Sequence, residues 1–382
     1  MGPLSGFRVV EFEATGPGPF AGMLPADMGA DVLVIDRPAR TDLGFKRSRR
    51  KSLMNRGKRS VVLDIKSPDA VEAALALVAH ADILIEGFRP GVMERLGLGP
   101  DAALARNHRL VYGRMTGWGQ IDPLAPRAGH DINYIALSSV LAAIGRKGQA
   151  PVPPLNLVGD FGGGGMLMGF GIACALVEAQ QSGKGQVVDA AMVEGVSLLA
   201  TLLSGMLASG AWTEERGANI LDTGAPWYGS YETTDGHHVC VGAIEVRFYD
   251  QLLERLGLAN EVLSTQYDRG GWALLRERFT AVFKSKTRAQ WVNAFAGSDA
   301  CFAPVLTFTE ARRDPHNLAR ASFVTVAGIE QPAPAPQFSR TPPEVRRAPP
   351  ERGEGGAAAL GDWGFSESET RHLRSLGLGL LE

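Results

Sequence analysis

Cysteine is scarce in this 382-residue chain, and its three copies lie far apart. Cys174, Cys240 and Cys301 have neither the spacing of a zinc site nor that of a disulfide framework. The first residues, MGPLSGFRVVEF, also lack the layout of a signal peptide. We therefore expect a cytoplasmic protein without disulfides.

An excess of charge of either sign is also absent. The chain has 39 Lys and Arg against 41 Asp and Glu, so its overall charge favours neither nucleic acid nor an anionic membrane surface. No uncharged stretch reaches membrane-spanning length, and the most apolar one, residues 165–177, is typical of a buried helix. We expect no nucleic-acid partner and no membrane span.

The first 120 residues alternate between strand and helix patterns. Strands are predicted at 7–12, 31–36, 61–65, 82–86 and 109–119, and helices at 19–29 and 68–80. This order predicts an α/β fold, a Rossmann-like parallel sheet with helices on both faces. Residues 160–180 continue it as a helix that opens on glycines, and 187–222 are predicted to be mainly helix and linker.

A different pattern follows. Residues 231–245, YETTDGHHVCVGAIE, place an Asp-Gly pair between alternating runs, which predicts a hairpin. Helical patterns over 246–296 complete a smaller α+β unit. The Pro-rich segment 331–356 is predicted to cross the molecule in extended form, and Ser366 with Glu369 has capping-box spacing.

Residues 16–21, GPGPFA, match a dinucleotide-binding pattern after the first strand, with Asp36 at the end of the second. Both variable positions before Phe20 are proline, however, and proline offers no N–H to a pyrophosphate. We therefore expect the glycines to serve a tight turn and close packing, and we do not expect NAD.

A basic run lies between Arg40 and Arg59, where nine Lys and Arg stand against one acid, Asp42. It is either a solvated loop or a phosphate-binding edge. Arg37, Arg89 and Arg95 follow predicted parallel strands, and ligands bind at that edge of an open sheet. A local patch in a chain of near-zero net charge favours a small polyphosphate.

Two residues of complementary acid–base type fall at the same edge. His130 lies in AGHDINY after the fifth strand, and Asp160 precedes four glycines in LVGDFGGGG. An apolar setting should raise the pKa of Asp160, whereas a helix start beside it opposes the rise. Either residue alone would more often be structural, but the pair beside glycine-rich backbone favours catalysis.

Two further polar features lie in the smaller unit. Glu245, in VGAIEVRF, is predicted to end a hairpin strand, where its charge needs a partner. His237 and His238 follow the Asp-Gly turn and are predicted to be exposed, without a metal.

AGHDINY, PLNLVGDFGGG, GKGQVVDAAMVEG, RGANILDTGAP and VGAIE together resemble the α-methylacyl-CoA racemases of the family III CoA-transferase superfamily, from residue 4 to about 340. The resemblance implies a large Rossmann-like domain over 1–189, completed by 335–382, and a small α+β domain over 229–310. It implies linkers at 190–228 and 311–334. It also implies an interlocked homodimer whose active sites use both chains.

The resemblance assigns roles to residues. His130 and Asp160 would be the two acid/base residues, and Glu245 would reach the site from the partner's small domain. CoA contacts would fall on Arg37, Leu63, Asp64, Ile65, Lys66, Arg89, Arg95, Gly129, Asp131, Ile132, Asn133 and Tyr134.

These residue types suit inversion of a carbon α to a thioester, which needs one base on each face. Histidine, with a reference pKa of about 6.5, can act as base or acid near neutrality. Aspartate complements it if burial raises its pKa. Backbone N–H groups around residues 129–131 are candidates to stabilise the enolate oxygen, each worth roughly 3–4 kcal/mol. We expect no metal and no cofactor beyond the CoA of the substrate.

Two alternatives stay open. In a family III CoA-transferase, the aspartate matching Asp160 would carry the acyl group as a nucleophile. His130 and Glu245 favour the racemase, because a transferase needs no second base at the α-carbon. A non-catalytic acyl-CoA or nucleotide-binding protein would explain the basic edge but not the pair His130 and Asp160.

Two departures from the family bear on the substrate. Residues 192–212 contain Met192 and Met206 but are mostly leucine and small residues, where such racemases often have a methionine-rich surface. Val246 and Arg247 stand where the family commonly has Pro-Gln. Each is either a change in specificity or neutral drift.

Overall fold

The computed structural model describes residues 2–39, 48–121 and 123–381, and a parallel sheet dominates its larger unit. The strands are β1 (Arg8–Phe12), β2 (Asp31–Asp36), β3 (Arg59–Val62), β4 (Ile83–Glu86), β5 (Val111–Thr116), β6 (Gln186–Ala191), β7 (Tyr228–Glu232), β8 (His238–Gly242), β9 (Phe302–Pro304), β10 (Phe323–Val326) and β11 (Ile329–Pro332). In the described part of the chain, six strands pair in parallel in the order β3-β2-β1-β4-β5-β6. This is the Rossmann order, and the predicted α/β fold with a parallel sheet is confirmed.

Helices connect these strands. They are α1 (Pro17–Asp27), α2 (Pro68–Ala79), α3 (Val92–Arg95), α4 (Pro100–Arg106), α5 (Asp131–Leu137), α6 (Val140–Ala143), a π-helix (Leu157–Met166), α7 (Leu167–Ser182), α8 (Met192–Leu199), α9 (Thr201–Ala208), α10 (Val246–Leu256), α11 (Trp272–Phe283), α12 (Arg288–Phe295), α13 (Phe308–Ala311), α14 (Pro315–Ala319), α15 (Gly356–Asp362) and α16 (Glu367–Ser375). Short 3₁₀ turns lie at Arg49–Lys51, Leu53–Asn55 and Arg269–Gly271.

The central strands bury both faces, because successive side chains point to opposite sides of a strand. Val10 and Leu33 belong to the core that α2, α15 and α16 cover. Val9 and Val32 belong to the core that α1 and α7 cover. Because both faces of these strands are buried, most positions in them are apolar.

The C-terminal segment covers the β3 edge. The N–H of Ser60 donates to the carbonyl of Glu354, and Val62 forms a bridge with Gly379. Most of the segment predicted to be extended, 331–356, contains neither helix nor strand, but residues 331–332 end β11 and Gly356 begins α15. The capping box at Ser366 and Glu369 is also confirmed at the start of α16.

Three local predictions need correction. Residues 186–191 form β6 rather than helix or linker; this edge strand is half exposed, so its apolar signal is weak. The third strand ends at Val62, and Leu63 and Ile65 enter the core beyond it. Glu245 does not end a strand, since β8 stops at Gly242 and Glu245 is the residue directly before α10.

The chain divides into two compact units. The first comprises Met1–Ser138, Leu155–Leu199 and His316–Glu382, and the second comprises Ser139–Pro154 and Ala200–Pro315. In the second unit, β7, β8 and β9 form an antiparallel sheet. The predicted hairpin is confirmed, with Gly236 at φ 77° in its turn. The core of the second unit contains the buried indoles of Trp227 and Trp291.

The π-helix and α7 form one continuous helical stretch, Leu157–Ser182, which is long and apolar enough by composition to cross a membrane. Met168 and Ile172 nevertheless pack into the core against the sheet. The predicted buried helix over 165–177 is therefore buried on one face only, since Met166, Phe170 and Val177 are exposed.

Candidate active site

A cavity of about 830 Å³ opens at the carboxyl edge of the parallel sheet. Residues that follow β1, β2, β4 and β5 line it, together with the start of α5 and the first turn of the π-helix. Ligands of open α/β sheets bind at this edge. Both residues predicted for acid–base chemistry, His130 and Asp160, lie in the lining.

The turn between β1 and α1 forms part of the floor. Gly16 has φ 66°, a conformation that favours glycine, and Pro17 starts α1 directly after it. A methyl group on Gly16 would lie 3.2 Å from Oδ2 of Asp160. The glycine therefore serves the tight turn and the close approach that the sequence predicted for GPGPFA.

The glycines after Asp160 let the π-helix pack against neighbouring backbone. A Cβ on Gly163 would lie 2.7 Å from the amide nitrogen of Val196, and one on Gly195 would overlap the carbonyl of Gly163. Larger residues would push α8 away from the π-helix. The glycine run thus fixes where the first turn, and Asp160 with it, meets the cavity.

Asp160 is half-buried and forms hydrogen bonds with two polar residues, one through its carboxyl and one through its backbone N–H. Asn156 donates from Nδ2 to its Oδ2 over 3.0 Å, and the N–H of Asp160 donates to Oδ1 of Asp131 over 2.7 Å. Burial raises the pKa of Asp160, the charge of Asp131 raises it further, and Asn156 and His130 oppose the rise. The raised pKa is the direction that the sequence predicted.

His130 precedes α5 in extended conformation and is exposed at the cavity. Its N–H donates to Oδ1 of Asn133 over 3.0 Å, which fixes the backbone at the start of the helix. The amide of His130 is therefore occupied, whereas those of Asp131 and Ile132 belong to the first helical turn, which has no intrahelical acceptors. The peptide of Asp131 is the better candidate donor for an oxyanion.

Arginines surround the cavity mouth. Arg89 and Arg127 are exposed in the lining. Arg37 lies beside it, with its guanidinium 5.6 Å from the ring of Phe88 and its N–H donating to Glu13 over 3.0 Å. These cations suit a phosphorylated ligand.

Ion pairs neutralise most of the basic run in its described part, although Arg49 also lines the cavity and Lys51 is exposed. Arg40, Asp42, Lys46 and Arg47 lie outside the described residues. In the described part, the ion pairs are Arg49 with Asp36, Arg50 with Glu351 and Glu354, Arg56 with Asp27, Lys58 with Glu11, and Arg59 with Asp31 and Asp362. The sequence could not show this, because the acids come from four other segments.

The residues predicted to contact CoA fall into three groups. Arg89, Gly129 and Tyr134 line the cavity. Asp131, Ile132 and Asn133 share α5 with Tyr134, and Arg37 contacts lining residues. Outside the lining, Leu63 and Ile65 are core side chains, and Asp64, Lys66 and Arg95 are exposed. The predicted CoA contacts stay predictions.

Glu245 belongs to the second unit, where it is exposed at the start of α10. Its neighbour Arg247 lies over the ring of Phe248 at 4.4 Å. Its predicted role toward the catalytic pair also stays a prediction.

Several lining residues were not singled out from the sequence. Asn156, Trp118 and Phe88 line the cavity, as does Arg352 from the C-terminal segment, which pairs with Glu13 at 2.6 Å. Asn156 lies four residues before Asp160, one helical turn away, and this spacing was the available signal. Arg352 gave none, because its contact spans more than 300 residues.

Metal ligands do not cluster in the part of the chain that the structure describes: no group of three His, Cys, Asp or Glu there could hold an ion. His237 and His238 are exposed, as predicted.

Comparisons with known proteins identify the family. The model of CoA-transferase family III matches residues 4–355. Alpha-methylacyl-CoA racemase of Mus musculus is 47% identical over 97% of this chain and 96% of its own length, and that of Homo sapiens is 44% identical with the same coverage. The crystal structure of a CAIB/BAIF family protein from Brucella suis matches with TM-score 0.81 and 25% identity, over 95% of this chain and 99% of that one. The chain belongs to CoA-transferase family III.

Proposed function

We propose that the chain inverts the α-carbon of 2-methyl-branched acyl-CoA thioesters. The observation that carries this is that His130 and Asp160 line one cavity at the carboxyl edge of the sheet, where burial raises the pKa of Asp160. The second support is that the relatives at 47% and 44% identity are alpha-methylacyl-CoA racemases.

In the proposed reaction, one of His130 and Asp160 takes the α-proton as the C–H bond breaks. The electron pair moves into the thioester carbonyl and forms an enolate, and the N–H of Asp131 is the proposed donor to its oxygen. The other residue then delivers its proton to the opposite face as the carbonyl re-forms. Proton count and oxidation state are unchanged, so the reaction requires no redox group.

We propose that CoA binds at the cavity mouth. Arg89 and Arg127 would contact its phosphates, with Arg37 beside them, because guanidinium groups pair with phosphate oxygens. CoA is thus the part of the substrate that these arginines would bind, and no separate cofactor is proposed.

We also propose a cytoplasmic homodimer in which Glu245 of the partner subunit supports the catalytic pair. Large apolar side chains are exposed along one helical stretch of the first unit. Leu157, Met166, Phe170 and Val177 are each more than half exposed there. An exposed apolar face of this kind is typical of a subunit interface.

A second activity, CoA transfer, is favoured by one observation: the carboxyl of Asp160 is open to the cavity and could attack a thioester. In that reaction Asp160 would be the nucleophile, and no acid–base role at the α-carbon would be needed from His130.

The test incubates the purified protein with one enantiomer of 2-methylbutanoyl-CoA and follows chirality. We expect racemisation, reduced at least ~100-fold in His130→Ala and in Asp160→Ala. A parallel assay adds a labelled free carboxylic acid. Labelled acyl-CoA without racemisation would replace the proposal with CoA transfer.

A further inference from the structure

The side chain of Asp131 is buried directly behind the reactive carboxyl. It is 6% exposed, and its Oδ1 accepts the N–H of Asp160 over 2.7 Å. A Cβ on Gly159 would collide with the same carboxylate, so the first turn of the π-helix lies tightly against it. Asp131 therefore holds the backbone that carries Asp160.

Capping alone does not account for an aspartate at this position. Asparagine caps a helix about as well as aspartate, since both offer a carbonyl-type oxygen. The second oxygen of Asp131, Oδ2, is buried without a hydrogen-bond partner in the described residues. A buried carboxylate oxygen without a partner destabilises the fold. The negative charge thus opposes stability, and its effect falls on its neighbour Asp160.

We propose that Asp131 is a positioning residue for Asp160: it orients the catalytic carboxyl through the backbone and favours its protonated form by charge repulsion. The inference rests on the proposed function, because only an acid–base role makes the protonation of Asp160 matter. A carboxyl that stays protonated closer to neutrality is a better match for a histidine partner. The raised pKa of Asp160, to which the charge of Asp131 contributes, agrees with the geometry.

Other charges near the π-helix have different partners or positions. His130, directly before α5, lowers the pKa of Asp160, and Tyr134 on α5 also lies close. The remaining charged residues on the packed elements are Asp27 on α1, which pairs with Arg56, Arg114 on β5, which pairs with Glu86 and Glu94, Glu178 on α7, Asp189 on β6 and Glu194 on α8. Asp131 is the neighbour whose charge raises the pKa of Asp160.

The substitution Asp131→Asn separates charge from capping, because it keeps the acceptor and removes the charge. Only the singly protonated pair of His130 and Asp160 can invert the substrate in either direction. The acid limb of kcat/KM therefore reports the first proton that the pair loses. Carboxyls are generally more acidic than imidazoles, so this limb follows Asp160 more than His130.

The experiment measures kcat/KM for racemisation against pH in the wild type, in Asp131→Asn and in a control, Asp69→Asn. Asp69 is an exposed aspartate in the first turn of α2, outside the cavity lining. We expect Asp131→Asn to move the acid limb down by at least about half a pH unit, without lowering the melting temperature. The control leaves the limb in place.

An acid limb that stays within about 0.2 unit of the wild type overturns the inference, because the charge then has no effect on Asp160. A loss of folding in Asp131→Asn overturns it equally, since the charge would then be stabilising. Racemisation by the wild type is the separate reference: if it is absent, the proposed function fails instead.

Discussion

At the scale of single residues, the chemistry of the site depends on what surrounds Asp160. Burial and the neighbouring Asp131 favour the neutral acid, whereas Asn156 donates a hydrogen bond that favours the carboxylate. Opposed effects of this kind keep a carboxyl close to the range in which it can both take and give a proton. Because Asp131 and Asn156 shift the pKa of Asp160 in opposite directions, substitutions of the two residues should have opposite effects.

Asn156→Ala removes the hydrogen bond to Oδ2 and so destabilises the carboxylate form of Asp160. The pKa of Asp160 should rise, and the acid limb of kcat/KM should move up by about half a unit or more. The measurement is the pH profile of racemisation in Asn156→Ala beside that of Asn156→Asp. A downward shift in the alanine variant would show that Asn156 does not favour the charged form.

Glu86 offers a test in which pH acts on stability. Burial raises the pKa of this carboxyl to about 7, against the opposing effect of Arg114. In the unfolded chain it ionises near 4.5. Between these values the unfolded state loses its proton first, so the group's contribution to stability is present below about pH 4.5 and declines as pH rises towards 7.

Glu86→Gln should therefore become more stable relative to the wild type as pH rises from 5 to 8, by up to about 3 kcal/mol. Urea unfolding of both proteins at the two pH values measures the difference. A difference in unfolding free energy that does not change with pH would contradict the raised pKa.

At the scale of elements, the contact between the π-helix and α8 positions the first turn that carries Asp160. Gly163 and Gly195 meet backbone to backbone there. The sequence showed a glycine run and a helix, but it could not show that the run is a π-helix or which element it meets. That pairing depends on the packing of Gly163 against Gly195, 32 residues further along the chain.

Gly195→Ala should destabilise the protein by roughly 3 kcal/mol, because its Cβ would overlap the carbonyl of Gly163. Gly205→Ala in α9 is the matched control, since no atom of the described residues lies within 4 Å of the added Cβ. It should be neutral or stabilising by up to about 1 kcal/mol. Urea midpoints decide, and equal effects of the two substitutions would contradict the close approach.

At the scale of the whole molecule, the parallel sheet of the large unit could be predicted from the sequence, whereas its long-range ion pairs could not. Double burial of β1, β2 and β4 leaves apolar runs that a single sequence displays, so the sheet could be predicted. Lys58 with Glu11 and Arg352 with Glu13 could not, because long-range pairing leaves no local pattern. His130 was identified by residue type and by its position after the fifth strand, and Asp160 by residue type and by the glycines that follow it; the fold brings both to one cavity.

The proposed homodimer gives a prediction at the same scale. Sedimentation velocity at micromolar concentration should give about twice the chain mass of 40.7 kDa. Phe170→Glu, on the exposed apolar face, should shift the protein towards monomer, because a buried charge without a partner destabilises an interface. Lys184→Glu, beyond the end of α7, is the control. A wild type that sediments as a monomer would contradict the dimer.

Proton exchange at the α-carbon tests the central claim most directly. Each enantiomer of 2-methylbutanoyl-CoA is incubated in D₂O, and deuterium and chirality are followed together. With wild type, we predict that inversion brings α-deuterium into the product. In His130→Ala and in Asp160→Ala, inversion should fall at least ~100-fold. Each variant keeps one base and should exchange the α-proton of one enantiomer only, and the enantiomer that exchanges should differ between the two variants. Inversion without deuterium, or loss of exchange from the same enantiomer in both variants, would contradict two bases on opposite faces.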